Sequence, residues 1–155
     1  MNHFMEIREL TVNEIDNYEK RIAELLTLCI SSTYSMNAGP DLIVAEKIES
    51  LKSHLQSETA YVIAAFEREE LIGFVWAYPV STLFETVLHI AYIAVLEKAQ
   101  GKGVGLKLLL VVQEIANRLG LKSIELIVGK NNESANYFYR DNNFYEDRII
   151  MRKEL

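Results

Sequence analysis

Cysteine is nearly missing from this sequence, since Cys29 is the only one among 155 residues. No intrachain disulfide can form, and no zinc site built from several thiolates can be assembled. We therefore expect no bound metal. Cys29 itself stands in an apolar stretch of helical character, where a lone cysteine is usually a small core residue.

An excess of positive charge is also absent. The 16 Lys and Arg residues are outnumbered by 22 Asp and Glu residues, which gives a formal net charge of −6. A nucleic-acid backbone requires several cations on one face of a protein, so nucleic acid is not an expected partner.

Long hydrophobic runs and linkers are lacking as well. Apolar runs such as residues 108–112 are far too short to cross a bilayer, and no leader that is first basic and then apolar opens the chain. These features predict a cytoplasmic protein without a membrane partner. No repeat or linker rich in Pro, Gly or Ser interrupts the sequence, so we predict a single domain over residues 1–155.

The apolar residues that are present fall into strand-like and helix-like periods. The predicted elements, in chain order, are a strand Met5–Glu9, a helix from Thr11, a loop over 31–40, a helix over 41–55, strands over 61–66, 71–78 and Thr86–Val95, a helix from Gly103 to Gly120, a strand over 123–128, a helix over 132–141, and a final strand or bent pair of strands over 144–153. Glu14, three positions after Thr11, completes a capping-box pattern at the start of the first helix.

The most informative segment joins the strand that ends at Val95 to the next helix. It carries Gly101, Gly103 and Gly105 where the helix begins, so a ligand can touch the backbone there. Free amides and the positive end of the helix dipole together form an anion site. Positive charge around this turn comes from three lysines, Lys98, Lys102 and Lys107. A phosphate group is the expected ligand.

Two familiar phosphate fingerprints are excluded by spacing. The dinucleotide pattern G-x-G-x-x-G would need glycine where Leu106 or Leu108 stands, and a Walker A loop would need Ser or Thr where Gly103 follows the Gly-Lys pair. The remaining alternative to a phosphate site is a plain glycine-rich turn without a ligand.

Two motifs give the sequence a family resemblance. The turn resembles the pyrophosphate loop of the GCN5-related N-acetyltransferase (GNAT) superfamily, (R/Q)-x-x-G-x-(G/A), matched by Gln100, Gly103 and Gly105. A second pattern of that family, V-x-x-x-N-x-x-A-x-x-(L/F)-Y followed by G-F, is matched by Val128, Asn132, Ala135, Phe138 and Tyr139. Asn143 stands where the family usually has the glycine before Phe144. Because Asn tolerates left-handed backbone geometry, the turn is expected to survive.

The resemblance covers residues 61–152 and implies both a fold and a cofactor. The implied fold is a mixed α/β (α+β) domain whose mostly antiparallel central sheet has roughly six to seven strands, is flanked by about four helices, and is splayed between the fourth and fifth strands. The implied co-substrate is acetyl-CoA, with its pyrophosphate on the loop amides and its pantetheine arm on the strand that ends at Val95. The residues expected to bind it are Ile93, Ala94, Val95, Gln100, Gly101, Lys102, Gly103, Val104, Gly105, Asn132, Ala135 and Asn136. A homodimer is a common outcome for this family.

Tyr139 matches the tyrosine that protonates the departing CoA thiolate in the resembled family. With a tyrosine pKa near ~10 and a thiol pKa near ~8.5, that transfer is uphill by about 2 kcal/mol, which a hydrogen bond in a dry site can cover. The alternative role for Tyr139 is a core aromatic. Since no Ser-His-Asp or Cys-His pairing is suggested, and Cys29 lies far along the chain from the cofactor motif, direct attack of the amine is preferred to a covalent acetyl-enzyme.

The amine must also lose a proton. Deprotonation of an alkyl ammonium at neutral pH costs roughly 4 to 5 kcal/mol, so a base or a water chain is required to accept the proton. His89 is the first candidate, and strand parity puts it on one face with Ala91 and Ile93. A core or supporting histidine is the alternative role. Glu85 and Tyr92 are weaker candidates for the base, while His3 and His54 are expected at the surface.

The sequence does not identify the acceptor amine. Residues 27–40 and 78–85 are expected to select it, and Tyr34, Tyr78 and Phe84 there hint at an apolar or amphipathic acceptor. Three hypotheses remain: an acetyltransferase for the primary amine of a small molecule, which we prefer, a protein or peptide N-acetyltransferase, and a non-catalytic acyl-CoA-binding sensor. An acidic cleft would favour polyamine or lysine substrates, and a groove open at both ends would favour a peptide. A site with no water-accessible base would favour the sensor.

Overall fold

A computed structural model describes residues 4–33 and 39–155. His3 and half of the predicted loop over 31–40, namely residues 34–38 with Tyr34, therefore lie outside the described residues. The strands are β1 Met5–Glu9, β2 Tyr61–Glu67, β3 Glu70–Ser81, β4 Thr86–Val95 and β5 Ile124–Leu126. The helices are α1 Val12–Thr33, α2 Asp41–Gln56, α3 Val104–Arg118 and α4 Glu133–Asp141. A short 3₁₀ turn, Glu97–Ala99, precedes α3.

The sheet runs in the order β1-β2-β3-β4-β5, with antiparallel pairing from β1 to β4 and parallel pairing of β4 with β5. The predicted mixed α/β fold with four helices is confirmed. The described part of the chain contains five strands, slightly fewer than expected. Two boundaries also moved: α1 continues through residues 31–33, and β3 continues to Ser81, so its connection to β4 is only residues 82–85.

The predicted final strand over 144–153 is wrong. After α4 the chain has no regular structure, and Ile149, Ile150 and Met151 are exposed. Three consecutive charged residues, 146–148, interrupt the alternation that a half-buried strand requires. Arg148 instead pairs with Glu125 on β5, Nη2 to Oε2 2.7 Å. The segment therefore lies beside β5 through a side-chain ion pair and does not extend the ladder.

Both faces of the sheet are covered, which explains why β2 and β3 read as nearly continuous apolar runs. Gly73 and Trp76 lie on opposite faces of β3 because they are three positions apart and successive side chains alternate between faces. A Cβ at Gly73 would lie 3.2 Å from Val104 Cγ1 on α3, whereas the Trp76 ring lies 6.0 Å from the His54 ring on α2. Helix α3 therefore lies on one face and α2 on the other, and α1 also packs against β3 and β4. In the described part of the chain, no helix is both long and apolar enough to cross a membrane.

The start of α1 is fixed by the predicted capping residues. The Glu14 carboxylate accepts hydrogen bonds from Thr11 N at 2.9 Å and Thr11 Oγ1 at 3.0 Å, and its other oxygen accepts one from Arg8 Nη1. The Thr11 backbone hydrogen bond, with help from Arg8, lowers the pKa of Glu14 below its ordinary value. The carboxylate thus ties β1 to the first turn of α1.

Replacing Glu14 with Ala is expected to lower the free energy of unfolding by about 1 kcal/mol, the usual cost of losing a cap. Because the pKa of Glu14 is lowered in the folded state, this stabilisation is present above the unfolded pKa and is lost as pH falls through the folded pKa. Urea unfolding at neutral and at acidic pH measures both effects. Glu24→Ala, an exposed ion-pair variant on the same helix, is the control, and an equal loss in the control would contradict the capping role.

Candidate active site

The site begins where β4 and β5 separate. The two strands pair only from Leu88–Ile90 to Ile124–Leu126, and β4 then continues to Val95 without a described strand on that side. This is the predicted splay between the fourth and fifth strands. Ile93 on β4 and Val128 after β5 line the cleft that opens between them.

A bulge in β4 lies next to this separation. Trp76 pairs with Tyr92 and Ala77 pairs with Ile90, which leaves Ala91 as an extra residue. The extra residue shifts strand parity, so His89 shares a face with Tyr92. The expectation that His89 and Ile93 lie on one face is therefore wrong, because sequence parity assumes an unbroken strand.

The glycine turn has the geometry that an anion site needs. Gly101 and Gly103 have φ angles of +74° and +78°, and a Cβ at either would meet nothing within 4 Å. The first hydrogen bond of α3 runs from Lys107 N to Gly103 O, so the amides before Lys107 have no acceptor within the helix. Gln100 Nε2 donates to Val95 O at 3.0 Å and thereby ties the turn to the end of β4.

Three residues in or near the turn also pack or pair with other parts of the protein. Val104 is buried, so only its backbone is available to a ligand. A Cβ at Gly105 would lie 3.3 Å from Phe138 Cζ, which means that glycine here lets α4 pack against α3. Lys98 pairs with Glu70 at 2.7 Å, so its charge is neutralised. Lys102 and Lys107 are exposed at the turn.

Helix α4 starts with the second motif. The Asn132 side chain caps the helix by accepting a hydrogen bond from Ala135 N at 3.3 Å, and both residues line the cleft. Asn136 Nδ2 donates to Gly129 O at 2.9 Å and to Asn132 O at 2.8 Å. The Asn136 amide thus shapes the loop before α4. Asn143 has a φ of +65°, the left-handed turn expected of the residue that replaces glycine.

Tyr139 and Cys29 both line the cleft between the strands. Burial raises the pKa of Tyr139 well above its ordinary value, and the nearby Cys29 raises it further. Cys29 Sγ donates to Ile93 O at 3.1 Å, and burial raises the pKa of this thiol to about 11. Although Cys29 is distant from the motif in sequence, α1 therefore brings it to the cofactor strand, as a protonated thiol.

The three candidates for the base are now distinguished by position. His89 lines the cleft, and its Nδ1 lies 3.3 Å from Glu125 Oε1. Glu125 was not expected from the sequence, because its partnership depends on the parallel register that pairs residue 89 with residue 125. Tyr92 also lines the cleft, whereas the exposed Glu85 accepts a hydrogen bond from Ser123 Oγ at 3.0 Å.

The cleft contains a cavity of about 320 Å³. Beyond the residues already named, helix α2 and strand β3 contribute a wall made of Lys47, Ser50, His54, Trp76 and Tyr78. His54, expected at the surface, is partly exposed near the end of α2 and also lines the cavity, whereas Phe84, 96 % exposed, does not line it. One signal in the sequence could have found part of this wall: Lys47, Ser50 and His54 share one face of a helix by their spacing of three and four residues. No group of His, Cys, Asp or Glu in the described chain could hold a metal ion.

Replacing Gly103 with Val is expected to weaken acetyl-CoA binding at least tenfold, because the added side chain enters the space beside the free amides. Gly120→Val is a matched control, since Gly120 has a φ of +71° and equally open surroundings at the other end of α3. Both variants are expected to lose about 1–2 kcal/mol of stability from backbone strain. Calorimetric titration with acetyl-CoA, with ATP and NAD for comparison, separates the effects, and equal affinity in the two variants would contradict the anion site.

Comparison with known proteins places this geometry in a family. The model of the acetyltransferase (GNAT) family matches residues 18–144. The uncharacterised N-acetyltransferase YhfO of Bacillus subtilis strain 168 is 29% identical over 99 residues, which cover 63% of this chain and 66% of that protein.

Two solved structures have the same fold. A Pyrococcus furiosus protein assigned as an acetyl transferase superposes with a TM-score of 0.76 and 25% identity, over 98% of this chain and 100% of that one. AAC(6')-Iy, solved with the bisubstrate analogue CoA-S-monomethyl-acetylneamine, has a TM-score of 0.72 and 18% identity, over 98% of this chain and 99% of that one. The chain therefore belongs to the acetyltransferase (GNAT) family, and the prediction of an acetyl-CoA-dependent N-acetyltransferase is confirmed at the level of that family.

Proposed function

We propose that this chain transfers the acetyl group of acetyl-CoA directly to a primary amine of a small molecule. One observation carries this proposal: the open edge of β4, Tyr139 and His89 border the same cavity. A donor for a leaving thiolate and a base for an attacking amine are thus available on two sides of one reaction space.

Acetyl-CoA is expected to bind along the strand edge. The free amides at the start of α3 take the pyrophosphate, with Gly101 and Gly103 leaving room for it. The pantetheine arm then follows residues 93–95 of β4, an edge that carries backbone groups but no described strand partner. A strand edge of this kind offers alternating donors and acceptors to an amide-containing chain. The thioester reaches the cavity beside Ile93, where a backbone amide of the strand stabilises the developing oxyanion.

The amine attacks the thioester carbonyl, and the thiolate leaves. Direct attack is favoured because the Cys29 thiol, with a pKa raised to about 11, is protonated at neutral pH. Tyr139 also stays protonated, because burial raises its pKa. Full proton transfer from Tyr139 to the thiolate therefore costs more free energy than ordinary pKa values suggest. The cost falls only if burial raises the pKa of the CoA thiol by a similar amount. We assign Tyr139 the role of a hydrogen-bond donor that stabilises the leaving thiolate.

His89 is the proposed base for the attacking amine. Its ring faces the cavity while Glu125 contacts Nδ1, an arrangement that orients the imidazole with Nε2 available as an acceptor. A base that lines the cavity argues against a sensor without catalysis. The Glu125 carboxylate also accepts a hydrogen bond from Arg148 at 2.7 Å, which fixes it behind the ring.

The cavity size favours a small acceptor. A volume of about 320 Å³ lies at the low end of the roughly 300–1,000 Å³ typical of small-molecule sites. The acetylneamine analogue bound by AAC(6')-Iy is consistent with an amine acceptor for this fold. A single domain and a homodimer remain predictions.

Replacing Tyr139 with Phe is expected to lower kcat at least about tenfold while the Kd for acetyl-CoA stays within about twofold, because only the hydroxyl is lost. Stopped-flow or steady-state detection of free CoA thiol measures the first quantity, and calorimetry measures the second. Tyr137→Phe is the matched control, since Tyr137 is exposed on the same helix. Unchanged turnover in the Tyr139 variant would remove this residue from the mechanism.

Replacing His89 with Ala is expected to lower kcat/KM for the amine by about 10²-fold, because the group that accepts the amine proton is lost. Glu125→Gln keeps the ring but removes the orienting charge, so a smaller loss is expected. Steady-state kinetics at saturating acetyl-CoA measures both variants, and an unchanged kcat/KM in His89→Ala would assign the base elsewhere.

A further inference from the structure

One wall of the cavity is made of neighbouring aromatic rings. His54 and Tyr78 are parallel, with centroids 5.9 Å apart and an interplanar angle of 2°. Tyr78 also lies 5.4 Å from His89, and Trp76 lies 5.6 Å from Tyr92. The β4 bulge brings these rings together, since it returns His89 and Tyr92 to one face.

The charges of the cavity wall do not suit a polycation. Among the described residues that line the cavity there is no Asp or Glu, whereas the ammonium-bearing Lys47 does line it. The Glu125 carboxylate, which contacts His89, already pairs with Arg148. A second or third ammonium group of a ligand would lose water here without gaining a counter-charge.

We propose that the acceptor is a primary monoamine with a flat aromatic body, and not a polyamine or an amino sugar. This inference rests on the proposed function and names the substrate class of the same cavity. Ring faces bind a flat apolar body by stacking and attract its single ammonium group before deprotonation. The Trp76 ring itself is held by packing, since this residue is buried in the core.

Two amines test the proposal directly. Phenethylamine has one ammonium group on an aromatic body, and spermidine has several ammonium groups on an aliphatic chain. Calorimetric titration of the CoA-saturated protein is expected to give phenethylamine at least about tenfold tighter binding than spermidine. Equal or tighter binding of spermidine would overturn the inference.

Acetyl transfer to the same two amines separates this inference from the proposed function. Transfer to spermidine but not to phenethylamine would overturn the substrate class and leave the transferase intact. Binding of phenethylamine, with no acetyl transfer to either amine, would support the aromatic site and count against the proposed reaction.

Variants of the wall supply a second test. Tyr78→Leu is expected to weaken phenethylamine binding about five- to tenfold with acetyl-CoA affinity unchanged, since it removes the central ring of the stack. Acetyl-CoA titration and thermal unfolding verify that the variant is folded, and His54→Leu serves if it is not. Unchanged phenethylamine affinity in a folded variant would reject the stacking role.

Charge reversal tests the electrostatic part. Lys47→Glu is expected to improve spermidine binding about fivefold relative to phenethylamine, because it gives the wall a counter-charge. Lys20→Glu, exposed on α1 and not part of the cavity lining, is the control. An equal change in both variants would mean that net charge, and not the cavity, sets the preference.

Discussion

The separation of β4 from β5 is the constraint on which the rest of the site depends. A parallel pair normally satisfies its backbone groups along the full length of both strands, but here the pairing ends after three residues on each strand. Backbone groups beyond that point must find partners elsewhere or remain open to solvent. The open edge of β4, the contact of Cys29 with Ile93 and the position of α4 beside the cleft all depend on this opening.

The bulge at Ala91 completes the opening by changing which side chains share a face. Without the extra residue, His89 and Tyr92 would point to opposite sides of the sheet. With it, both face α2 and meet the rings of Trp76 and Tyr78. In the proposed function β4 then has two uses, since its open edge binds the cofactor and one of its faces borders the reaction space.

Local patterns in the sequence predicted the parts of the fold that are determined locally. The cap at Thr11 and Glu14 and the left-handed turn at Asn143 each depend on neighbours within a few residues, and the structure has both. The contacts that sequence reasoning missed join distant segments. Glu125 meets His89 through strand register, and His54 meets Tyr78 through the packing of α2 on the sheet. The wrong final strand has a different cause, since apolar residues alone predicted it although charged neighbours break the alternation.

The polar stripe of α2 has a consequence for how this protein could diversify. Lys47, Ser50 and His54 project from one helix that supplies none of the residues proposed to hold the cofactor or move a proton. Substitutions on this stripe can therefore alter the far wall of the cavity while the glycine turn, the open strand edge and Tyr139 stay as they are. In the proposed arrangement, one part of the acceptor wall therefore lies on a helix that does not bind acetyl-CoA, so natural variation on α2 can alter acceptor choice without changing acetyl donation.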